Sequence, residues 1–295
     1  MNSPVQIGET YNSLGFLAGR TTTPAANGWS VNLAGAGSLT INGSDPVYVR
    51  PDGSTWSFTP VTGSTTAYTS PAGLTKTLTH NPTANTFTLT DLVSRQVVVY
   101  DNNGNPTSVT DKNGNVVTTT FTSGVPTTVA TTAGPSAARA AAFSYNASTL
   151  LWTITQTNGA HTRSISYQKN SSSDITGFTD ADGKSTAFTY TSGHLTKIVS
   201  TTGAETDVSY NSVGQVSEVD QQNTSTGSPG TSTTRLTYPT TTQSLVAGPD
   251  TNTSVAVATG PHTTYSINSS QELVNTATDA MAGSARRPIT RTRFR

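Results

Sequence analysis

The side chains of this sequence that could act as acids, bases or metal ligands are its histidines and its aspartates and glutamates. The histidines are scattered along the chain. No two of them have the His-x-x-x-His spacing of a metal site. They are His80, His161, His194 and His262. We therefore expect isolated turn or surface residues instead of metal ligands or catalytic bases.

Two pairs of carboxylates have the proximity that acid–base chemistry in glycosidases uses, Asp180 with Asp182 and Glu205 with Asp207. The first pair leads directly into Gly183. Aspartate followed by glycine is typical of a turn, because the carboxylate accepts hydrogen bonds from nearby backbone N–H groups and glycine adopts positive φ. We interpret these residues as turn residues, not as catalytic groups.

Residues 101–105 and 111–115 place Asp and Asn at alternate positions, as in the first half of a calcium-binding loop. Lys112 and Thr122 occupy the positions where such a loop has its bidentate Glu. We favour hairpin turns, with a weak calcium site as the alternative. There is no phosphate-binding glycine loop and no Gly-x-Ser-x-Gly motif. We expect no enzymatic activity, no catalytic residue, no cofactor and no metal.

The composition indicates an extended β structure with a narrow apolar seam. Hydrophobic residues are 32% of the chain, charged residues are 11%, and the net charge is zero. Disordered chains usually combine low hydrophobicity with high net charge, which is not the case here. The chain is rich in threonine, which favours strands. It has no cysteine, so disulfides are excluded, and no apolar run of about 20 residues that would suggest a membrane span.

A repeat organises the sequence, and it is clearest between Asp180 and Asp220. Gly183 lies seven positions before Tyr190, and Gly203 lies seven before Tyr210. Each aromatic is followed by a glycine turn and an alternating apolar tail, so each unit is predicted to be two short strands. Aromatics recur roughly every 20 to 30 residues, the range of stacked supersecondary units. The repeat-defining residues are Tyr100, Gly104, Gly114, Phe121, Tyr145, Tyr167, Gly183, Tyr190, Gly193, Gly203, Tyr210, Gly214, Tyr238 and Tyr265.

We divide the chain into three parts. Residues 1–45 form an entry segment whose strands pack on the first hairpins, with Trp29 as anchor. Residues 46–281 form the repeat sheet. Residues 282–295 form an arginine-rich tail that is disordered or an edge strand. Within the sheet, the alanine-rich stretch 137–142 is predicted to be a strand, and the polar stretch 222–232 is predicted to be an exposed loop. Helix content is expected to be close to nil.

Residues 179–190 and 210–219 resemble the tyrosine-aspartate (YD) repeats of the Rhs family, and 100–105 is similar to another such unit. The resemblance implies an all-β fold in which antiparallel hairpin repeats form a curved or spiral sheet, part of an Rhs-type shell. In bacterial polymorphic toxins and insecticidal toxin complexes such shells enclose a toxic C-terminal domain, and in teneurins a similar barrel serves adhesion. The family's self-cleaving segment has no counterpart here, since the Asp45–Pro46 pair lies at the wrong end.

These observations predict a non-enzymatic structural or interaction protein, secreted or on a bacterial cell surface. Its partners would be the rest of a larger shell, a toxin cargo or a cell-surface carbohydrate. Nucleic acid is not expected, because basic residues cluster only in the tail. The alternative is a carbohydrate-binding or adhesin module in which Trp56, Trp152 and rows of tyrosines stack on sugar rings.

Overall fold

The fold is all-β in this computed structural model. It describes residues 7–11, 29–41, 45–131, 139–158, 160–223, 230–268 and 273–279, and these contain no helix. The chain divides into two compact units, Met1–Ser185 and Thr186–Arg295. In the described ranges no helix is long and apolar enough to cross a membrane. The prediction of an all-β fold built from antiparallel hairpin repeats is confirmed.

The first unit begins with seven short strands in three small antiparallel sheets, which pair as β1–β2, β3–β4–β5 and β6–β7. They are β1 (Ile7–Tyr11), β2 (Trp29–Leu33), β3 (Ser38–Thr40), β4 (Val47–Val49), β5 (Thr55–Ser57), β6 (Thr59–Pro60) and β7 (Tyr68–Thr69). The ring of Trp29 packs against Tyr11 with centroids 5.5 Å apart. Strands β4 and β5 form a hairpin whose turn contains Pro51–Gly53.

The main sheet of the first unit is an antiparallel ladder in which each strand pairs with the next along the chain. Its strands are β8 (Lys76–Asn81), β9 (Thr86–Asp91), β10 (Val97–Tyr100), β11 (Pro106–Thr110), β12 (Val116–Thr122), β13 (Val125–Thr131), β14 (Ala140–Asn146), β15 (Leu151–Asn158), β16 (His161–Lys169) and β17 (Ile175–Thr179).

The packed core lies where the small N-terminal sheets cover the start of this ladder. Phe58 and Tyr100 are fully buried there, together with Leu78 and Leu89. The contiguous core cluster runs from Leu33 to Val129 along the chain. Apolar residues at alternate positions of β8, β9 and β10 contribute side chains to this core, because every second side chain of a strand points to the same face.

The second unit repeats the ladder arrangement with eight strands in its described part. They are β18 (Ser185–Thr191), β19 (His194–Val199), β20 (Glu205–Tyr210), β21 (Val216–Asn223), β22 (Gly230–Thr240), β23 (Gln243–Ala247), β24 (Thr263–Asn268) and β25 (Leu273–Asp279). Its buried hydrophobic residues among those described are few: Leu195, Leu245 and Ala247.

Three local predictions fall near these strands. The alanine-rich stretch forms strand from Ala140 onward, as predicted, whereas 137–138 lie outside the described residues. The prediction of a loop over 222–232 is wrong at both ends, since β21 extends to Asn223 and β22 begins at Gly230. The polar composition of this stretch suggested an exposed loop, but its polar side chains bond across the paired strands. The Gln222 amide oxygen accepts a hydrogen bond from the hydroxyl of Thr231. The arginine-rich tail lies outside the described residues.

Candidate functional site

One five-residue turn recurs throughout both units. In each copy the first residue donates its N–H to the carbonyl of the fifth and accepts from the N–H of the fourth, over 2.8–3.1 Å. The fourth residue has positive φ, between 69° and 81°, and is glycine in every described copy but one, where it is Ser173. This is the hairpin loop that combines a type I turn with a left-handed bulge residue. The copies in the described residues are 50–54, 101–105, 111–115, 170–174, 180–184, 200–204 and 211–215.

In every described copy except 50–54, the side chain at the first position of the turn holds the loop together. The Oδ1 atom of Asp101 accepts hydrogen bonds from the backbone N–H groups of Asn103 and Asn105, both at 2.9 Å. Its Oδ2 atom accepts from the Asn105 amide at 3.0 Å. Asp180 similarly accepts from the N–H groups of Asp182 and Lys184. The aspartate of the repeat is therefore used for turn chemistry.

The Asp and Asn residues considered for calcium binding and the two carboxylate pairs are not brought together into one site in the described residues. Asp111 bonds within its turn in the same way as Asp101. Glu205 and Asp207 both lie against the Lys197 ammonium, at 2.8 and 3.4 Å. Among the residues that the structure describes, no group of three His, Asp or Glu side chains is placed to hold a metal ion.

A threonine-filled bulge follows four of the hairpin turns in the described residues. Tyr100 is opposite Pro106 but Val99 is opposite Ser108, so Thr107 has no counterpart on the partner strand. The Thr107 hydroxyl donates to the carbonyl of Val99 at 3.1 Å. An extra residue of this kind kinks the strand and disrupts the ladder locally, and the hydroxyl supplies a donor for the carbonyl opposite. The same bond joins Thr127 to Thr120, Thr176 to Gln168 and Thr196 to Thr189, at 3.2–3.4 Å.

Two tyrosines of the second unit, Tyr210 and Tyr238, each link one hairpin to the one before it. The Tyr210 hydroxyl donates to the carbonyl of Leu195 at 2.7 Å, and Tyr238 donates to Val216 at 2.9 Å. Both acceptors directly precede the extra residue of a bulge, Thr196 in one case and Ser217 in the other. The repeat therefore needs a phenol at these positions and not only an aromatic ring.

In the first unit, two tyrosines share one acceptor. Tyr100 and Tyr48 both donate to the carbonyl of Ala36, at 2.9 and 3.2 Å. Burial raises the pKa of Tyr48 to about 12 and that of Tyr100 well above its ordinary value. Burial also raises the pKa of Tyr238. These phenols stay protonated and keep donating over the ordinary pH range.

The remaining repeat aromatics occupy other positions in the ladders. Tyr145 stacks on Trp152 with centroids 4.9 Å apart, and Tyr167 packs against Phe178 at 5.0 Å. Trp152 also faces Tyr167 across the strands, so the four rings form one row. Phe121 packs against the core cluster, Tyr190 is opposite Leu195, and Tyr265 is opposite Ser244 and Ala277.

The tryptophans offered as sugar-stacking residues are not accessible. Trp56 is 8% exposed and Trp152 is 6% exposed, so neither presents a free ring face. The histidines are spread over the strands and turns. The rings of His80 and His194 stack on Phe87 and Tyr210 respectively. Their roles are packing roles in this arrangement.

The glycines divide between two kinds of turn. Gly104, Gly114, Gly183, Gly203 and Gly214 take the fourth position of the five-residue turn. Gly193 instead follows Ser192 in a two-residue hairpin, with φ of 80° and 52°. Two successive positive values are typical of a type I′ turn, whose twist matches that of the strands.

The sequence reasoning missed the threonine bulges, although their signal is present. After the turns, an apolar or proline residue is followed at once by threonine, and the apolar residue is buried. The pairs are Pro106–Thr107, Pro126–Thr127, Ile175–Thr176 and Leu195–Thr196. The Ala36 acceptor was also missed, and no local pattern marks it.

No family model matches the chain. No curated protein matches it either. Among solved structures, the chain is similar to the one described as TcdB2-TccC3-TEV, with 12% identity and a TM-score of 0.35 over 80% of this chain. It spans only 15% of the length of that chain. It is also similar to a porin-like protein from Bacteroides uniformis, with 12% identity and a TM-score of 0.29, over 66% of this chain and 91% of that one.

Proposed function

We propose that this chain is a non-enzymatic structural module, part of an Rhs-type β-shell of a bacterial secreted or cell-surface protein. Its role would be to enclose or deliver an effector that lies outside these residues. The partners would be the rest of the shell and that cargo.

The observation that carries the proposal is the recurrence of one stabilising unit. The polar side chains that cap the turns stabilise each hairpin loop, and the threonine bulges join the two strands of a hairpin. The tyrosine hydroxyls of Tyr210 and Tyr238 link a hairpin to the one before it. The polar groups that sequence reasoning considered for catalysis bond to the backbone of their own turn or to a neighbouring strand. A surface built this way provides shape and contact area.

A carbohydrate-binding or adhesin role has less support. It was motivated by Trp56, Trp152 and the rows of tyrosines, and both tryptophan rings are buried. Tyr145, at 43% exposure, is the accessible end of the aromatic row. A single accessible ring offers a sugar little stacking surface.

The experiment that tests the shell is limited proteolysis of the full native gene product. If the array encloses an effector, the effector should resist protease as long as the array is folded and become sensitive at the temperature where the array unfolds. An effector segment that is cleaved rapidly from the intact protein would contradict the proposal. So would a gene product in which this chain is not joined to, or bound by, any further segment.

A further inference from the structure

A cavity of about 260 Å³ lies on one face of β14, β15 and β16 in the first unit. Its floor consists of Ala141 and Ile154, which are buried, and Ile165 beside them. Ile7 of β1 forms a wall and Ala181 of a turn contributes to the rim. The interior is therefore apolar and covered on one side by the N-terminal sheet.

The polar side chains at the rim are a cation and an amide that face each other. Gln156 and Arg163 are direct cross-strand partners of β15 and β16, and both are exposed. Within the residues that the structure describes, neither side chain makes a hydrogen bond or an ion pair.

A planar guanidinium beside an amide suits a carboxylate, since arginine presents paired N–H donors that match its two oxygens. The volume is just below the ~300–1,000 Å³ usual for ligand pockets, so it suits one ring or a short chain. An apolar floor with a few convergent polar groups is the usual composition of such a site.

We propose that this cavity binds a small hydrophobic carboxylate, with its apolar part on Ala141 and Ile154 and its carboxylate on Arg163 and Gln156. The inference does not depend on the shell proposal, because it rests on the rim and floor of this cavity alone.

Titration of the full chain with benzoate and with its neutral analogue benzamide tests the site by calorimetry or ligand-observed NMR. We expect saturable binding of benzoate and binding of benzamide about tenfold weaker, because a charge-assisted hydrogen bond is lost. Arg163→Gln should weaken benzoate about tenfold and leave benzamide unchanged. Ala141→Leu should weaken both ligands by filling the floor.

Arg139→Gln is the matched control, since Arg139 adjoins the same end of β14 but does not line the cavity. It should change benzoate affinity by less than about twofold. Circular dichroism of each variant checks that the sheet is retained. Absence of saturable benzoate binding overturns the inference. Equal binding of benzamide, or equal losses in Arg139→Gln and Arg163→Gln, also overturns it, because the effect would then be general attraction to a cationic face.

Discussion

The five-residue turn at 101–105 in the first unit is enclosed by its surroundings, whereas the same turn at 200–204 in the second unit is open. At 101–105 the Gly104 carbonyl accepts from the N–H of Leu39, and a β-carbon at Gly104 would lie 1.8 Å from the Leu39 oxygen. At 200–204 the backbone geometry is equivalent, with φ of 81° at both glycines, but nothing lies within 4 Å of a β-carbon at Gly203. One sequence pattern therefore serves two different environments.

The surroundings of the two turns differ in how polar groups are satisfied. Around Gly104, a packed core buries Tyr100 and Phe58, and two phenols donate to the single carbonyl of Ala36. The second unit has few buried side chains in its described part, and hydroxyl bonds such as Tyr210 to Leu195 connect its hairpins. Around Gly104, hydrophobic burial is the main source of stability. In the second unit, side-chain hydrogen bonds to the backbone contribute a larger share.

Alanine substitution of the two glycines should separate these environments most strongly. Both variants place a β-carbon at positive φ, which costs about 1–2 kcal/mol. Gly104→Ala must also displace Leu39, so we expect at least about 3 kcal/mol of lost stability or failure of the N-terminal sheets to dock. The chain's tryptophans, Trp29, Trp56 and Trp152, all belong to the first unit, so tryptophan fluorescence during denaturation reports this loss.

Gly203→Ala is the matched control for that prediction. It should leave the fluorescence transition of the first unit unchanged and accelerate amide exchange only in the strands beside its own turn. Equal losses in the two variants would mean that the backbone conformation alone matters, and that the contact between Gly104 and Leu39 contributes little.

The strands, the turns and the aromatic series could be predicted from the sequence because each depends on local chemistry. An aspartate followed three positions later by glycine, as in Asp180 and Gly183, indicates a turn in any surroundings. Phe188 and Tyr190 lie two positions apart on a strand, so they share one face of the sheet whatever that face contacts. The enclosure of Gly104 could not be predicted, because Leu39 lies 65 positions earlier, by subtraction of the two numbers, and its carbonyl carries no sequence signal. The sharing of Ala36 by Tyr48 and Tyr100 is equally non-local.

The ion pairs of the two units should give opposite responses to pH, and the larger response belongs to the first unit. Burial raises the pKa of Asp91, but hydrogen bonds from Lys76 and from the N–H groups of Ser94 and Val93 outweigh it and lower the pKa to about 2. Because the folded pKa lies below the ordinary value of 3.8, the stabilisation is present above about pH 4 and is lost as pH falls towards 2. We expect a loss of about 1–2 kcal/mol, measured by fluorescence-monitored unfolding between pH 5 and 2.

Asp91→Asn should flatten this acid limb, which distinguishes Asp91 from the other carboxylates. The exposed counterpart in the second unit is Lys197, whose pKa is raised chiefly by the hydrogen bond to Glu205. Its contribution is complete below the ordinary pKa of 10.5 and is lost as pH rises through the higher folded value. An acid limb that persists in Asp91→Asn would show that the Lys76–Asp91 pair does not control it.

The smallest effect we predict concerns the phenol link between hairpins. Tyr210→Phe keeps the ring but removes the donor to the Leu195 carbonyl, so we expect a loss of about 1 kcal/mol. Tyr265→Phe is the control, because the structure gives the Tyr265 hydroxyl no hydrogen-bond partner among the described residues and its removal should be neutral. Amide hydrogen exchange measured across β19, β20 and β21 would localise the difference to the two linked hairpins.

If the two phenylalanine variants exchange at the same rate, the ring and not the hydroxyl links successive hairpins. The preference for tyrosine over phenylalanine at 210 and 238 would then need another cause. If Tyr210→Phe alone accelerates exchange, the bond to the carbonyl beside the bulge compensates for the thin core of the second unit. That outcome would also explain why position 121, which packs against the core of the first unit, can be phenylalanine: burial there replaces the bond that a hydroxyl supplies elsewhere.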